Sequence, residues 1–211
     1  RTGQGHGIVP VPPSMVPLDM PSFPTLSTER LLLRQFLPTD APRIRELAGA
    51  KEIAADTLLP HPYEDGTAEE WIATRQKYFE AGTALYFAIT LAQGQAMIGS
   101  IGLDIVESHK HARLSYWLGV PYWNRGYCTE AVAAVLGYGF RQLELNRIYS
   151  PHFLGNDASG RVLQKAGMTY EGRMREHYLR FDRFVDLELY GMLRRDFIQR
   201  NTESKSGTTP G

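Results

Sequence analysis

Apolar positions recur along the chain with two periods, two residues in some stretches and three to four in others, and each change of period marks a new element. Residues 26–36 read as a first strand, with Leu31, Leu32 and Leu33 ahead of Arg34. Pro38-Thr39-Asp40 then starts a helix, with Thr39 or Asp40 as N-cap, Pro42 in the first turn, and Ile44, Leu47 and Ala48 at helical spacing. Thr67 can cap a helix over 67–81 with Glu69 and Glu70 in its first turn and an inward stripe of Trp71, Ile72, Arg75, Tyr78 and Phe79. Strands follow over 84–91, 96–106 and 112–120, the last two joined by the polar run Glu107-Ser108-His109-Lys110-His111, as in an antiparallel hairpin. A helix over 129–143, a strand over 147–153, a short helix over 157–166 ended by Gly167, and two antiparallel strands over 168–180 and 184–193 complete the pattern. Helices that return the chain to a sheet, together with hairpins, predict a mixed α/β fold: a mostly antiparallel mixed sheet flanked by helices.

Composition narrows the class. The 211 residues suit one domain, expected over 25–199, and 43% hydrophobic with 22% charged residues is ordinary for a soluble globular protein. Six prolines within 1–24 prevent a signal-peptide core, so that stretch is expected to be a flexible leader, and the polar 200–211 a disordered tail. A formal charge of +0 asks for neither nucleic acid nor an anionic membrane as partner, and no run approaches the roughly 18 apolar residues of a membrane span. Cys128 is the single cysteine, which excludes an intrachain disulfide and a multi-cysteine metal site and is compatible with the cytoplasm, the expected location.

The most informative segment is Val120-Pro121-Tyr122-Trp123-Asn124-Arg125-Gly126-Tyr127-Cys128-Thr129-Glu130-Ala131. A strand stops at Pro121, a loop turns at Gly126, and a helix begins near Thr129. Unpaired N–H groups at a helix start, with the helix dipole, favour an anion; a diphosphate meets that need, and Gly126 lets the backbone approach closely. Any strand-to-helix turn favours a glycine and a Thr cap, so the turn by itself leaves both readings open.

The run from Tyr122 to Ala131 resembles the acetyl-CoA pyrophosphate loop of the GNAT superfamily of N-acetyltransferases, in its RimJ/RimL-like branch. Trp123 and Cys128 depart from the broad pattern without disturbing the loop geometry. Asn156-Asp157-Ala158-Ser159 through Lys165-Ala166-Gly167-Met168 resembles the family's Asn-x-x-Ser…Lys-x-Gly-Phe segment, with Met168 where Phe is usual. Thr28-Glu29-Arg30-Leu31-Leu32-Leu33-Arg34 resembles its opening strand, and Tyr116-Trp117-Leu118-Gly119 its central one, so the likeness covers about residues 26–197.

The resemblance implies acetyl-CoA as co-substrate, no metal, and a primary amine as acceptor, on a protein N-terminus of the ribosomal-protein type or on a small molecule. It implies that backbone groups of Asn124, Arg125, Gly126, Tyr127, Cys128 and Thr129 hold the diphosphate. Leu118, Gly119 and Val120, on a splayed strand, would pair with the pantetheine, one N–H polarising the acetyl carbonyl. Asn156 would hold the pantetheine and Ser159 would serve the leaving thiolate, although Asn156 or Asp157 would cap a helix in any protein. Relatives often form homodimers. The branch often has Glu on the central strand where Arg113 stands, and Arg113 accepts no proton. Glu176 and His177 lie where the branch sometimes places an acidic residue facing the amine; either would serve as base, and an exposed strand pair with no catalytic part is the alternative. Lacking a strong carboxylate base, the site is easier to reconcile with an α-amine of pKa about 7.8, roughly one-seventh neutral at pH 7, than with a lysine near 10.4. The missing Glu also motivates a second reading, a CoA-binding module without turnover.

Other signals carry less. His109 and His111 lack a third metal ligand. Gly137-Tyr138-Gly139 lies inside a helix and lacks the third glycine of a dinucleotide fingerprint. Trp71, Tyr78 and Phe79 fill the core or shape the acceptor cleft, with His61-Pro62-Tyr63 at its rim. Cys128 reads as a packing residue.

Overall fold

The computed structural model describes residues 22–206, and side chains to 203. Its strands are β1 (Leu26–Ser27), β2 (Leu31–Arg34), β3 (Ala84–Leu91), β4 (Met97–Val106), β5 (His111–Leu118), β6 (Arg147–Phe153), β7 (Thr169–Arg180) and β8 (Arg183–Leu193). Its helices are α1 (Ala41–Ala48), α2 (Lys51–Asp56), α3 (Thr67–Glu80), α4 (Tyr127–Arg141), α5 (Asp157–Lys165) and α6 (Arg194–Ser206). Among the described residues the strands form one eight-stranded sheet in the order β1-β2-β3-β4-β5-β6-β8-β7, antiparallel throughout except between β5 and β6.

The two-residue period of β3 sorts the core onto two faces. Leu85, Phe87 and Ile89 pack with Val132, Val135, Leu136 and Phe140 of α4. Tyr86 and Ala88 face the other way, towards Ile44 of α1 and Ile72 of α3. Helices therefore cover both faces, the arrangement the alternation of elements predicts.

Several boundaries differ from the sequence reading. The first strand is a hairpin, because the Thr28 hydroxyl accepts from Leu31 N–H at 3.0 Å and Thr28 N–H donates to Leu31 O at 2.9 Å, folding 28–30 into a turn. Helix α2 is short and gives too little periodicity to be seen in the sequence. Gly66, at φ 84, is the N-cap of α3, so Thr67 is its first residue. Gly126 likewise precedes α4, which begins two residues before Thr129. The last helix runs to Ser206, into the stretch expected to be disordered, because Phe197 packs on Phe140 (ring centroids 5.1 Å) and Arg200 donates to Gly167 O at 2.6 Å. At the other end Phe23 packs against Phe79 and Phe87, inside the stretch expected to be a leader. The rest of the leader (1–21) and of the tail (207–211) lies outside the described residues.

The feature that positions the site is the junction of β5 and β6. They pair over His111↔Arg147, Ala112↔Ile148 and Arg113↔Tyr149 only. Beyond Arg113, β5 stays on β4 while β6 stays on β8, and a gap opens between them. Pro151, which has no N–H to give a ladder, lies just past the last β5–β6 pair.

Candidate active site

A cavity of about 290 Å³ opens at the β5 side of this gap. One wall is the end of β5 (Tyr116, Trp117, Leu118), another the loop and first turn of α4, and a third α5 with Ser159 and the cations Arg161 and Lys165. The loop is held by its own side chains. Trp123 Nε1 donates to Leu118 O at 2.6 Å, and Asn124 and Gly126 take positive φ of 59 and 78, turning the chain into α4. In consequence the N–H groups of Tyr127, Cys128 and Thr129, which open the helix and have no partner within it, start at the cavity wall.

The opening hairpin braces this turn from behind. Glu130 Oε1 accepts from the Thr28 hydroxyl at 2.6 Å and from Arg30 N–H at 2.9 Å, while Arg30 Nε donates to Glu130 Oε2 at 2.7 Å. Arg30 Nη1 also donates to Arg125 O at 2.9 Å, and its guanidinium lies 4.8 Å from the Tyr127 ring. Burial pushes the Glu130 carboxyl up, but the hydrogen bonds from Thr28 and Arg30 outweigh it and hold the group below the usual carboxylate range. From the α1 side, Arg43 donates to the Tyr122 hydroxyl at 2.7 Å.

A second cavity, of about 370 Å³, spans the gap from β5 to β6 and is walled also by α2 and the chain after it, α3 and β7. The two share Asp56, Thr57, Tyr116, Trp117 and Ser159, so they meet at one junction. There the Tyr116 hydroxyl donates to Ser159 O at 3.2 Å, and burial raises that phenol well above its ordinary value, which keeps it protonated. The Ser159 N–H donates to Asn156 Oδ1 at 3.0 Å, the N-cap bond of α5. Asp56, at the end of α2, is the carboxylate at the junction; partial desolvation raises its pKa against the opposing pull of Arg180 and His152. His152, in the second cavity wall, has Nδ1 3.0 Å from Phe153 O, and its buried Nε2, 3.7 Å from Glu188, has no hydrogen-bond partner among the described residues.

Most residues singled out in the sequence converge here: Leu118, Asn124, Gly126, Tyr127, Cys128, Thr129, Asn156 and Ser159 all line the first cavity. Gly119 and Val120 do not, because the Gly119 N–H donates to Ile98 O at 2.8 Å and the carbonyls of both accept from Tyr122 and Trp123 N–H. The β5 wall is two residues earlier, at Tyr116 to Leu118. Arg125 is also outside the lining, its carbonyl engaged by Arg30. Glu176 and His177 reach neither cavity. They sit exposed in a bulge of β7, where Glu176 has φ 51 and its N–H donates to Asp186, and it is the next residue, Tyr178, that enters the second wall. Arg113 lines that wall too, neutralised by Asp104 at 2.7 Å. Cys128 is held inert, its thiol pushed up to about 12 by burial. Sequence reasoning gave no site role to Asp56, for which no local signal exists, to Tyr116, although it opens the run matched to the central strand, or to Arg161 and Lys165, whose i,i+4 spacing beside Ser159 was a usable signal.

Among the described residues no group of His, Cys, Asp and Glu is arranged to hold a metal, and no helix is long and apolar enough to cross a membrane. Residues 30–169 match the family model described as an acetyltransferase (GNAT) domain. The uncharacterized N-acetyltransferase YoaA of Bacillus subtilis (strain 168) is 28% identical over 173 residues, covering 82% of this chain and 98% of that protein. Among solved structures, the ribosomal alpha-N-protein acetyltransferase RimL in complex with coenzyme A aligns with TM-score 0.75 at 18% identity, over 81% of this chain and 98% of that one. The spermidine N-acetyltransferase of Vibrio cholerae, in complex with CoA and spermine, aligns with TM-score 0.71 at 22% identity, over 81% and 99%. These two likenesses show the fold.

Proposed function

The chain belongs to the GNAT acetyltransferase domain family, and on that premise we propose that it moves the acetyl group of acetyl-CoA to a primary amine by direct attack on the thioester. The observation that carries the reading is the gap between β5 and β6, with a helix N-terminus at one end and a second cavity at the other.

The diphosphate sits on the N–H groups of Tyr127, Cys128 and Thr129, where the helix dipole and donor groups without intrahelical partners favour negative charge. Arg161 and Lys165 add positive charge on the opposite wall. The pantetheine arm, itself an amide chain, lies along the unpaired edge of β5. Because strand N–H groups alternate in direction and that of Gly119 points to β4, that of Leu118 points into the gap. It is the donor for the acetyl oxygen, which gains charge as the amine attacks.

The amine enters from the second cavity and gives up its proton at the junction, where Asp56 is the accepting carboxylate. Its nitrogen bonds to the carbonyl carbon, the C–S bond breaks, and the sulfur leaves beside the Ser159 hydroxyl. A thiol pKa near 8.5 makes a hydrogen bond sufficient help. Tyr116 is a positioning residue, tying Ser159 through its carbonyl. A CoA-binding module without turnover loses support once Arg113 is neutralised and a carboxylate stands at the junction.

The test is to incubate the protein with acetyl-CoA and a panel of amines and follow free thiol. Thiol release that depends on the amine, with acetylated product by mass, is the expected result; absence of coenzyme binding ends the reading.

A further inference from the structure

The second cavity has an uneven distribution of charge. Of its two arginines, Arg113 is held by Asp104 at 2.7 Å, and the Tyr86 hydroxyl donates to the same carboxylate at 2.9 Å. Arg75, on α3, has no such counterpart. Its guanidinium lies 4.7 Å from the Tyr86 ring, 4.8 Å from Tyr78 and 5.4 Å from Trp71. Among the described residues it makes no ion pair, and its buried Nε has no hydrogen-bond acceptor. Aromatic faces attract the cation but take none of its N–H groups, so the donor fork remains unmet in a wall of the cavity.

Asp56 supplies the opposite pole. It borders both cavities, whereas Arg75 borders the second alone, so the carboxylate stands nearer the thioester and the guanidinium farther from it. An occupant that satisfies both poles has an ammonium at one end and an anion at the other.

We propose that the acceptor is an amine that also carries a carboxylate, with its amine at Asp56 and its carboxylate on the Arg75 guanidinium. The fork of Arg75 matches two carboxylate oxygens, a pairing stronger than a neutral hydrogen bond. A polyamine would bring a second ammonium against Arg75 and is disfavoured by like charge. This inference rests on the acetyltransferase reading and names the substrate class of that site.

The test compares matched pairs of acceptors. Free α-amino acids and dipeptides with Asp or Glu at the second position are each set against their carboxamide counterparts, with spermidine as a third arm. For the wild-type protein, kcat/KM for the acid is expected to exceed that for the amide at least tenfold. Which acids lead, free amino acids or dipeptides, distinguishes the two sources of the same chemistry. Arg75→Met should raise KM for the acid about tenfold, leave the amide within about twofold, and leave the melting temperature close to wild type; Arg75→Lys should recover part of the loss. Equal use of acid and amide, faster use of spermidine, or an equal loss on both partners of a pair in Arg75→Met would overturn the proposal. Calorimetric titration of acid and amide into the CoA complex reads the same preference without turnover. Failure of turnover with this preference intact would therefore count against the reaction, and loss of the preference against the Arg75 assignment.

Discussion

The two cavities differ in how they are built. The one at the start of α4 is lined by four short segments, within 53–57, 116–118, 122–129 and 156–165, and its helix-opening amides belong to one of them. The one beneath α3 is made of side chains from many separate segments, with Asp56, Arg75, Arg113, His152 and Tyr178 coming from α2, α3, β5, β6 and β7. A site for a fixed coenzyme can be written in local turns, because the amides that bind it belong to one stretch of chain. A site for an acceptor is assembled by packing, and each wall can change while the fold persists.

That contrast can be broken most sharply at Gly126. Gly126→Val puts a β-branched residue at φ 78, with its Cβ 3.3 Å from Arg30 Nη2. Coenzyme affinity by calorimetry should fall about 100-fold, given the strain of a left-handed non-glycine residue and the turned amides. An effect confined to the acceptor KM would contradict the division of labour.

The next largest effect is expected at the junction. Asp56→Asn should lower kcat roughly tenfold to 100-fold with the coenzyme dissociation constant nearly unchanged. The carboxyl must be ionised to take the proton and its pKa is raised, so the wild-type rate should fall with pH from above the ordinary carboxylate range. Asp56→Asn should lose that limb of the pH profile. Ser159→Ala should act in the same direction at about tenfold, the worth of one hydrogen bond to a charged group; loss of coenzyme binding instead would place Ser159 in the cradle alone.

Smallest is the brace behind the loop. Glu130→Gln should lower stability by about 1 kcal/mol, since Arg30 is half exposed and the pair is screened. The Glu130 carboxyl is held below its ordinary value, so its contribution is present above the unfolded-state pKa and lost as pH falls through the folded one. Thermal melts of wild type and Glu130→Gln should therefore converge in acid.

The same contrast explains what the sequence disclosed. The three strands from 84 to 120, the strand over 147–153 and the turn at Gly126 are local in period or motif, and each is found close to its expected place. Asn156, whose cap bond closes over three residues, was legible for the same reason. Glu176 and His177 were singled out by resemblance to the branch alone, and a bulge between Met174 and Tyr178 shifts the register of β7 so that Tyr178 takes the wall. Asp56 comes from a six-residue helix too short to show periodicity. The splay left one mark that could have been read: Pro151 in the middle of an otherwise regular strand.

Among the described residues, the ladder that joins β1–β5 to β6–β8 is three residue pairs long. A pantetheine arm lying in the opening would act as an extra thread across that seam, so coenzyme occupancy would add cohesion as well as recognition. Amide hydrogen exchange in the splayed parts of β5 and β6, beyond Arg113 and Tyr149, should slow together when the coenzyme arrives.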